Sequence, residues 1–353
     1  MKNLDIYKNL KVVVTGSTGF KGSWLCLWLS SLNAKVVGIA LKPEKDSIIF
    51  NKLRLKNKIN QIYIDINNFK AINKIIKKEK PDIIFHLAAQ SIVSLSYFQP
   101  LQTLNTNIIG SANILESVRI NKIKNLVYIT SDKCYLNDNR STAYFEKDIL
   151  GGEDIYSGSK ASAELIFQSY LSTYFNFRKK LSYASTRAGN VIGGGDMKKD
   201  RIVPDVVKSI KNNKKLIIRS PNATRPWQHV LEPLSGYLTL GSLLINKKLS
   251  GRIIPNWNFG PSTSNCKTVL EVTKKIIFLW GIKKEIIINK KRNFNESKLL
   301  MLSSKKAKKE LDWSYRLNFD ETIQMTVDWY KSLFNDEKVD NISLDQIEYF
   351  ISK

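Results

Sequence analysis

At 353 residues, with 43% hydrophobic and 10% aromatic content, the chain is long enough to bury a large core or two packed lobes, which excludes disorder. Its formal net charge of +25 invites a nucleic-acid reading, but the lysines are scattered through KNKIN, IIKKEK, IKNNKK and SSKKAKKE without RNA-binding aromatics or zinc-finger spacing. A solvated basic surface, of some electrostatic benefit to an anionic small substrate, is expected instead. Cys26, Cys134 and Cys266 are odd in number and far apart, and His86 and His229 are the only histidines, so neither a disulfide framework nor a metal site is expected. MKNLDIYKNL runs straight into KVVVTG with no signal-peptide segment, and no apolar run nears the roughly 18 residues of a membrane span. A cytoplasmic protein with no membrane partner is the expectation.

Short β-branched runs alternating with helical patterns predict strands over 11–16, 35–41, 61–66, 82–89, 125–131 and 182–190. Helices are expected near 22–33, 68–79, 102–120 and 157–175. This is the pattern of an α/β, doubly wound parallel sheet of Rossmann type. After Asn190 the texture changes: VIGGGDMKKDRIVPD and RSPNATRPWQHV read as long loops over a rigid sheet, the usual setting for binding. From about 267 a helical pattern returns and closes a smaller α/β substrate lobe. The expected division is a dinucleotide-binding domain over 1–187 and a mainly substrate-binding domain over 188–353, with part of about 228–260 returning to the first.

The segment VVVTGSTGFKGSW sets Gly16, Gly19 and Gly22 at a strand-to-helix turn. Glycines there let the backbone approach a pyrophosphate, at which the following helix aims its N–H groups and positive dipole end. The GxxGxxG spacing resembles the short-chain dehydrogenases more than the lactate or alcohol dehydrogenase type. Asp65, at the end of the third strand, is placed for the adenine amino group or, alternatively, for capping helix 68–79. In HLAAQS, Ala88 and Ala89 end the fourth strand with small side chains where a cofactor would pass. An acidic residue after the second strand would select NAD and a basic one NADP. Here ALKPEKD offers Lys42 first and Glu44 later, so that position leaves the choice open.

DIYSGSKASAE puts Tyr156 and Lys160 four apart, on one helix face. A nearby ammonium lowers a tyrosine pKa from about 10 towards neutrality and makes the phenolate a usable base. Upstream, TSDKCY sets Asp132 and Lys133 at the tip of a buried strand, a place for chemistry or for a plain ion pair.

TGSTGFKGSW, FHLAAQ, ITSDKCY, YSGSKASAE, RAGNVIGGGD, DRIVPD and RPWQHVLEPLSGY together resemble the CDP-glucose 4,6-dehydratases, extended short-chain dehydrogenases acting on nucleotide sugars. Lys133 is a specific point of likeness, because the related dTDP-glucose and GDP-mannose dehydratases carry an acidic residue there. The resemblance implies conversion of CDP-glucose to a 4-keto-6-deoxy sugar on bound NAD. Tyr156, supported by Lys160, would take the 4-OH proton, Ser131 would bond the C4 oxygen, Asp132 would protonate the departing C6 hydroxyl, and Lys133 would assist proton removal at C5. It also implies NAD contacts from Gly16, Thr18, Gly19, Phe20 and Gly22, from Asp65 and Ile66, and from Leu87, Ala88 and Ala89, besides Tyr156 and Lys160. Gln90, Asn190, Arg201, Arg219, Arg225 and His229 would line the nucleotide-sugar side. Helices 102–120 and 157–175 would pair two copies into a homodimer.

Departures from the family pattern are concentrated late: LDWSY stands for LGWxP, Ser303 for an aspartate, Ile155 for a proline and Gly158 for an asparagine. A 4-epimerase needs no acid and base beyond the tyrosine, which Asp132 and Lys133 argue against. A cofactor-sensing binding protein would typically have lost Tyr156 or Lys160.

Overall fold

The computed structural model describes residues 4–44, 47–175, 180, 182–250, 254–262, 265–289 and 300–353. Seven parallel strands form the main sheet: β1 (Lys11–Thr15), β2 (Lys35–Ala40), β3 (Asn60–Tyr63), β4 (Ile83–His86), β5 (Leu126–Ile129), β6 (Tyr183–Ala188) and β7 (Asn256–Phe259). Their order is β7-β6-β5-β4-β1-β2-β3, so the winding direction reverses between β1 and β4. That is where a doubly wound sheet opens its binding crevice.

Burial on both faces explains why the strands read as continuous apolar runs rather than alternating ones. Alternate residues feed two cores. Val12, Val14 and Phe85 pack with Trp24 and Trp28 of α1 (Phe20–Ser31), Leu234 and Leu238 of α5 (Leu231–Ile245), and Trp329 and Phe350 near the C-terminus. Val13, Ile84 and Tyr128 pack with Ile72 and Ile76 of α2 (Phe69–Glu79), Ile114 and Val118 of α3 (Ser111–Ile120), and Phe167 of α4 (Ile155–Thr173). Helix α1 is apolar all round because it is covered on its outer side too: Trp28 meets Phe350 edge-on at 5.8 Å.

Two differences from the expected elements have clear causes. The fourth strand ends at His86: Leu87 N still donates to Thr15 O at 3.2 Å, but it shares the Thr15 hydroxyl with Ala88 N, both 3.1 Å from Oγ1, and with Ala88 the chain turns to that side chain. The single helix expected over 102–120 is broken into Pro100–Leu104, a π-helical turn Asn105–Gly110, and α3. That wide turn sets the Asn107 amide between the chain at Gln90 and Ser159 of α4: its Oδ1 accepts from Gln90 N at 2.8 Å and its Nδ2 donates to Ser159 Oγ at 2.9 Å.

The later chain also completes the first sheet. Strand β7 lies parallel to β6, with Asn258 opposite Arg187. The remainder ends in the helices Phe319–Phe334 and Val339–Ser352, which pack in the core shared with α1.

Candidate active site

At the end of β1, Gly16 has φ +74°, and a Cβ there would stand 2.8 Å from Ala88 N. A Cβ on Gly22 would stand 2.1 Å from Gly16 O. Only glycine therefore lets β1, the turn and α1 approach so closely. Gly19 caps α1 without a side-chain hydrogen bond, so the first-turn N–H groups keep no side-chain acceptor and, with the helix dipole, suit a pyrophosphate. Thr18 turns its hydroxyl to Leu41 O at 3.0 Å, tying the turn to the end of β2. Phe20 packs at the rim of the apolar core. Asp65 is exposed and its Oδ1 accepts from Asn67 N at 2.9 Å, while Asn68 caps α2. Asp65 is thus not the helix cap, whereas Ile66 is buried under α3. Leu87, Ala88 and Ala89 are half-buried on the wall opposite Gly16. These residues fit a dinucleotide.

On the neighbouring strand, Ser131 leads a 3-10 turn, Asp132–Cys134. Its Oγ donates to Asp132 Oδ1 at 2.8 Å and accepts from Lys133 N at 3.3 Å. Asp132 is buried and Lys133 half-buried. Helix α4 begins at Asp154, whose carboxylate accepts from Ser157 N and Oγ at 2.9 and 2.6 Å, and this cap fixes the first turn that carries Tyr156. Lys160 Nζ lies 5.9 Å from the Tyr156 ring centre.

The electrostatics correct one expectation. Burial pushes the Tyr156 phenol up to about 12, the Asp132 carboxylate adds to this, and the Ser131 hydrogen bond and Arg201 oppose it. Lys160 is itself lowered to about 8, chiefly by burial. In the protein alone the tyrosine is held protonated, because desolvation outweighs the Ser131 hydrogen bond and Arg201.

Lys21, between two residues of the glycine motif, was not legible as a site residue. Its ammonium is 3.3 Å from Tyr237 Oη and is lowered to about 8 by burial, with Lys160 and Arg201 pushing the same way and Asp132 opposing. The available signal was a lysine in the first turn of an otherwise apolar helix. Lys21 thus brings a positive charge to Asp132, while Lys160 and Arg201 bear on Lys21 itself.

The residues expected on the sugar side divide. Arg201 Nη1 pairs with Asp196 at 2.6 Å and its field reaches Tyr156. Asn190 is half-buried just beyond β6. Arg219 is exposed and pairs with Asp200 at 2.8 Å, and Arg225 Nη1 donates to Thr224 O at 2.9 Å. Gln90 is occupied by its own loop, donating to Ile92 O and Thr103 Oγ1 and accepting from Ile92 N. His229 requires correction. It is fully buried, edge-on to Trp24 at 6.1 Å, with its pKa driven down to about 3 by burial, so it stands behind the wall as a neutral packing residue.

Residues 13–326 match the family described as GDP-mannose 4,6 dehydratase. The CDP-glucose 4,6-dehydratase of Salmonella typhimurium is 40% identical over 357 residues, covering 100% of this chain and 99% of that protein. The dTDP-D-glucose 4,6-dehydratase of Dictyostelium discoideum is 26% identical, over 94% of this chain and 84% of that one. Among solved structures, the dTDP-glucose 4,6-dehydratase of Bacillus anthracis in complex with NAD superposes with a TM-score of 0.74 at 24% identity, covering 93% of this chain and 99% of that chain. The UDP-glucose 4-epimerase of Thermotoga maritima with UDP-glucose gives 0.79 at 20% identity, covering 92% and 100%. Likeness at those identities shows the fold alone.

Proposed function

The chain belongs to the nucleotide-sugar 4,6-dehydratases of the extended short-chain dehydrogenase superfamily, and we propose that it converts CDP-D-glucose to CDP-4-keto-6-deoxy-D-glucose and water. The observation that carries the nucleotide is the 40% identity to a CDP-glucose 4,6-dehydratase over essentially all of both chains. Lys133, where the dTDP and GDP enzymes are acidic, supports the same choice.

NAD, when bound, supplies a reversible hydride acceptor and a positively charged ring. The residues to hold it are Gly16, Thr18, Gly19, Phe20 and Gly22 at the pyrophosphate, Asp65 and Ile66 at the adenine, and Leu87, Ala88 and Ala89 along the crevice. Tyr156 takes the proton of the sugar 4-hydroxyl, with Ser131 bonding the same oxygen. A phenol raised to about 12 needs added positive charge to ionise, and Lys160, if protonated, contributes it. Once C4 is a ketone, the C5 proton is acidic and Lys133 accepts it. Asp132 gives its proton to the C6 hydroxyl, which leaves as water. Lys21 faces the resulting Asp132 carboxylate. Arg201, Arg219 and Arg225 are assigned to the diphosphate side, Asn190 and Gln90 to the sugar side, and His229 is left out of the ligand set.

The proposed division of labour is a cofactor lobe over 1–187 and a sugar lobe over 188–353, with about 228–260 returning to the first. Helix α5 and strand β7, both packed on the first sheet, support the return. A homodimer through the α3 and α4 side is proposed from the exposed Phe98, Leu101, Ile109 and Leu165. Sedimentation showing a monomer at micromolar concentration would remove it. No helix among the described residues is long and apolar enough to cross a membrane.

The functional test is incubation with CDP-, dTDP-, GDP- and UDP-glucose while following 4-keto-sugar formation. CDP-glucose should give many turnovers with no net NADH released. Stoichiometric NADH release, or formation only of the 4-epimer, would overturn the reading.

A further inference from the structure

Beneath the catalytic turn lies a buried ion pair to which the mechanism assigns no task. Glu164 and Arg187 have no exposed side-chain surface and meet at 2.7 Å. Glu164 Oε1 accepts from Thr130 Oγ1 at 2.5 Å, and its Oε2 also accepts from Ser185 Oγ at 3.0 Å. On the other side, Arg187 Nη1 donates to Tyr135 Oη at 2.7 Å, with the guanidinium 4.9 Å from that ring's centre. Tyr135 Oη in turn donates to Asn258 Oδ1 of β7 at 2.8 Å.

Thr130 and Tyr135 are the residues on either side of 131–134. Resting on the dehydratase reading, we propose that Glu164 and Arg187 are the positioning residues of this active site, clamping both ends of the segment that carries Ser131, Asp132 and Lys133 and locking it to the helix that carries Tyr156 and Lys160. Glu164 lies one helical turn beyond Lys160 and two beyond Tyr156, so a fixed Glu164 fixes the face on which both stand. Arg187 is the central anchor because it sits on β6, a rigid interior strand between β5 and β7. Charge-assisted bonds to a fully buried pair are short, directional and unshared with water. A turn held at one end only could swing Asp132 and Lys133 relative to Tyr156. Held at both, it presents acid and base at fixed separations, the condition for proton transfers within hydrogen-bond reach.

Glu164 also has an electrostatic effect that a neutral packing group would lack. The groups around the Lys160 ammonium are Tyr156 and Glu164 on its own helix, the neutral thiol of Cys134 on the turn, Lys21 on α1 and His86 on β4. Burial lowers Lys160 to about 8, and of these groups Glu164 is the carboxylate that opposes the loss of its proton.

Three variants test the inference: Thr130→Val and Tyr135→Phe, which each cut one tie and leave the ion pair whole, and Glu164→Gln. Each is assayed for kcat, KM and pH profile with whichever of the four nucleotide glucoses the wild type turns over, and for folding by thermal melting. The expected result is a five- to tenfold loss of kcat with KM within twofold for each tie-cutting variant. For Glu164→Gln the expected loss exceeds a hundredfold, and the alkaline limb moves at least half a pH unit towards acid as Lys160 gives up its proton more readily. Should Glu164→Gln not fold, the two tie-cutting variants decide. Folded Thr130→Val and Tyr135→Phe proteins with wild-type kcat would overturn the inference, as would losses of kcat that only track the folded fraction while the pH profile stays in place. A wild type that turns over none of the four sugars sinks the dehydratase reading and this inference together. An active wild type with unaffected variants sinks this inference alone.

Discussion

Tyr156 and Lys160 share one face of α4, yet burial drives their ionisations apart, the phenol up to about 12 and the ammonium down to about 8. Spacing alone gave the pair and its face; it could not give the balance between desolvation and charge, which depends on Asp132, Arg201 and Lys21 arriving from three other segments. His229 failed for the same reason, since a histidine in a loop-like stretch gives no sign that Trp24 will close over it. Lys133 is the residue on which the proposed chemistry turns. Lys133→Met should leave cofactor binding and C4 oxidation largely intact while C5 proton exchange slows by about a hundredfold or more, the usual size of a lost acid–base group. Rapid mixing with C5-deuterated CDP-glucose checks this, with reduced-cofactor absorbance building up as the isotope stays in place. Exchange at the wild-type rate would mean that another group takes the proton.

Among the elements, those read best from sequence were the ones whose local chemistry is self-contained. The glycine turn is one, because the need for Gly16 and Gly22 comes from neighbours within the βαβ unit and the adjoining β4. The π-helical turn before α3 was not legible, since what it accomplishes, placing Asn107 between Gln90 and Ser159, is visible only with α4 in position. The end of α3 is a Schellman motif: Ile123 N donates to Val118 O, Lys122 N donates to Arg119 O, and exposed Lys122 takes φ +52°. The left-handed conformation costs a non-glycine residue roughly 1–2 kcal/mol, against about 0.5–1 kcal/mol of extra chain entropy that glycine loses. Lys122→Gly should therefore raise the midpoint of urea unfolding by a small but measurable amount with activity unchanged, and a lower midpoint would refute the strain. The same geometry accounts for a departure noted in the sequence: Asp312, where relatives place glycine, ends the helix Lys305–Leu311 at φ +54°, a conformation aspartate tolerates better than most.

Across the whole molecule, the doubly wound sheet was legible because alternating strands and helices have few ways to pack, whereas the docking of the second lobe depends on contacts between distant segments. Glu232, on α5, is one such contact: fully buried, its Oε1 accepts from Arg316 N at 3.0 Å and Leu317 N at 2.7 Å, and burial raises it to about 7. Because the folded pKa lies above the ordinary 4.5, the folded state binds more protons than the unfolded one between those values. This group's contribution to stability is complete below pH 4.5 and is lost as pH rises through 7, on the order of 3 kcal/mol in all. Glu232→Gln should flatten the stability profile between pH 4.5 and 7 in urea titrations, and an unchanged slope there would count against it. A last consequence concerns synthesis. Tyr7 donates to Leu238 O across 231 positions, and α5 packs so closely that a Cβ on Gly241 would meet Phe85 at 2.8 Å. A ribosome adding about 5–20 residues per second needs on the order of 10–50 s between those partners. Throughout that wait the sheet face that α5 will cover stays bare in the nascent chain, and β7 is still to come. The main sheet is begun first and is among the last parts to be finished, so its apolar face depends on whatever shields emerging chains in the cell.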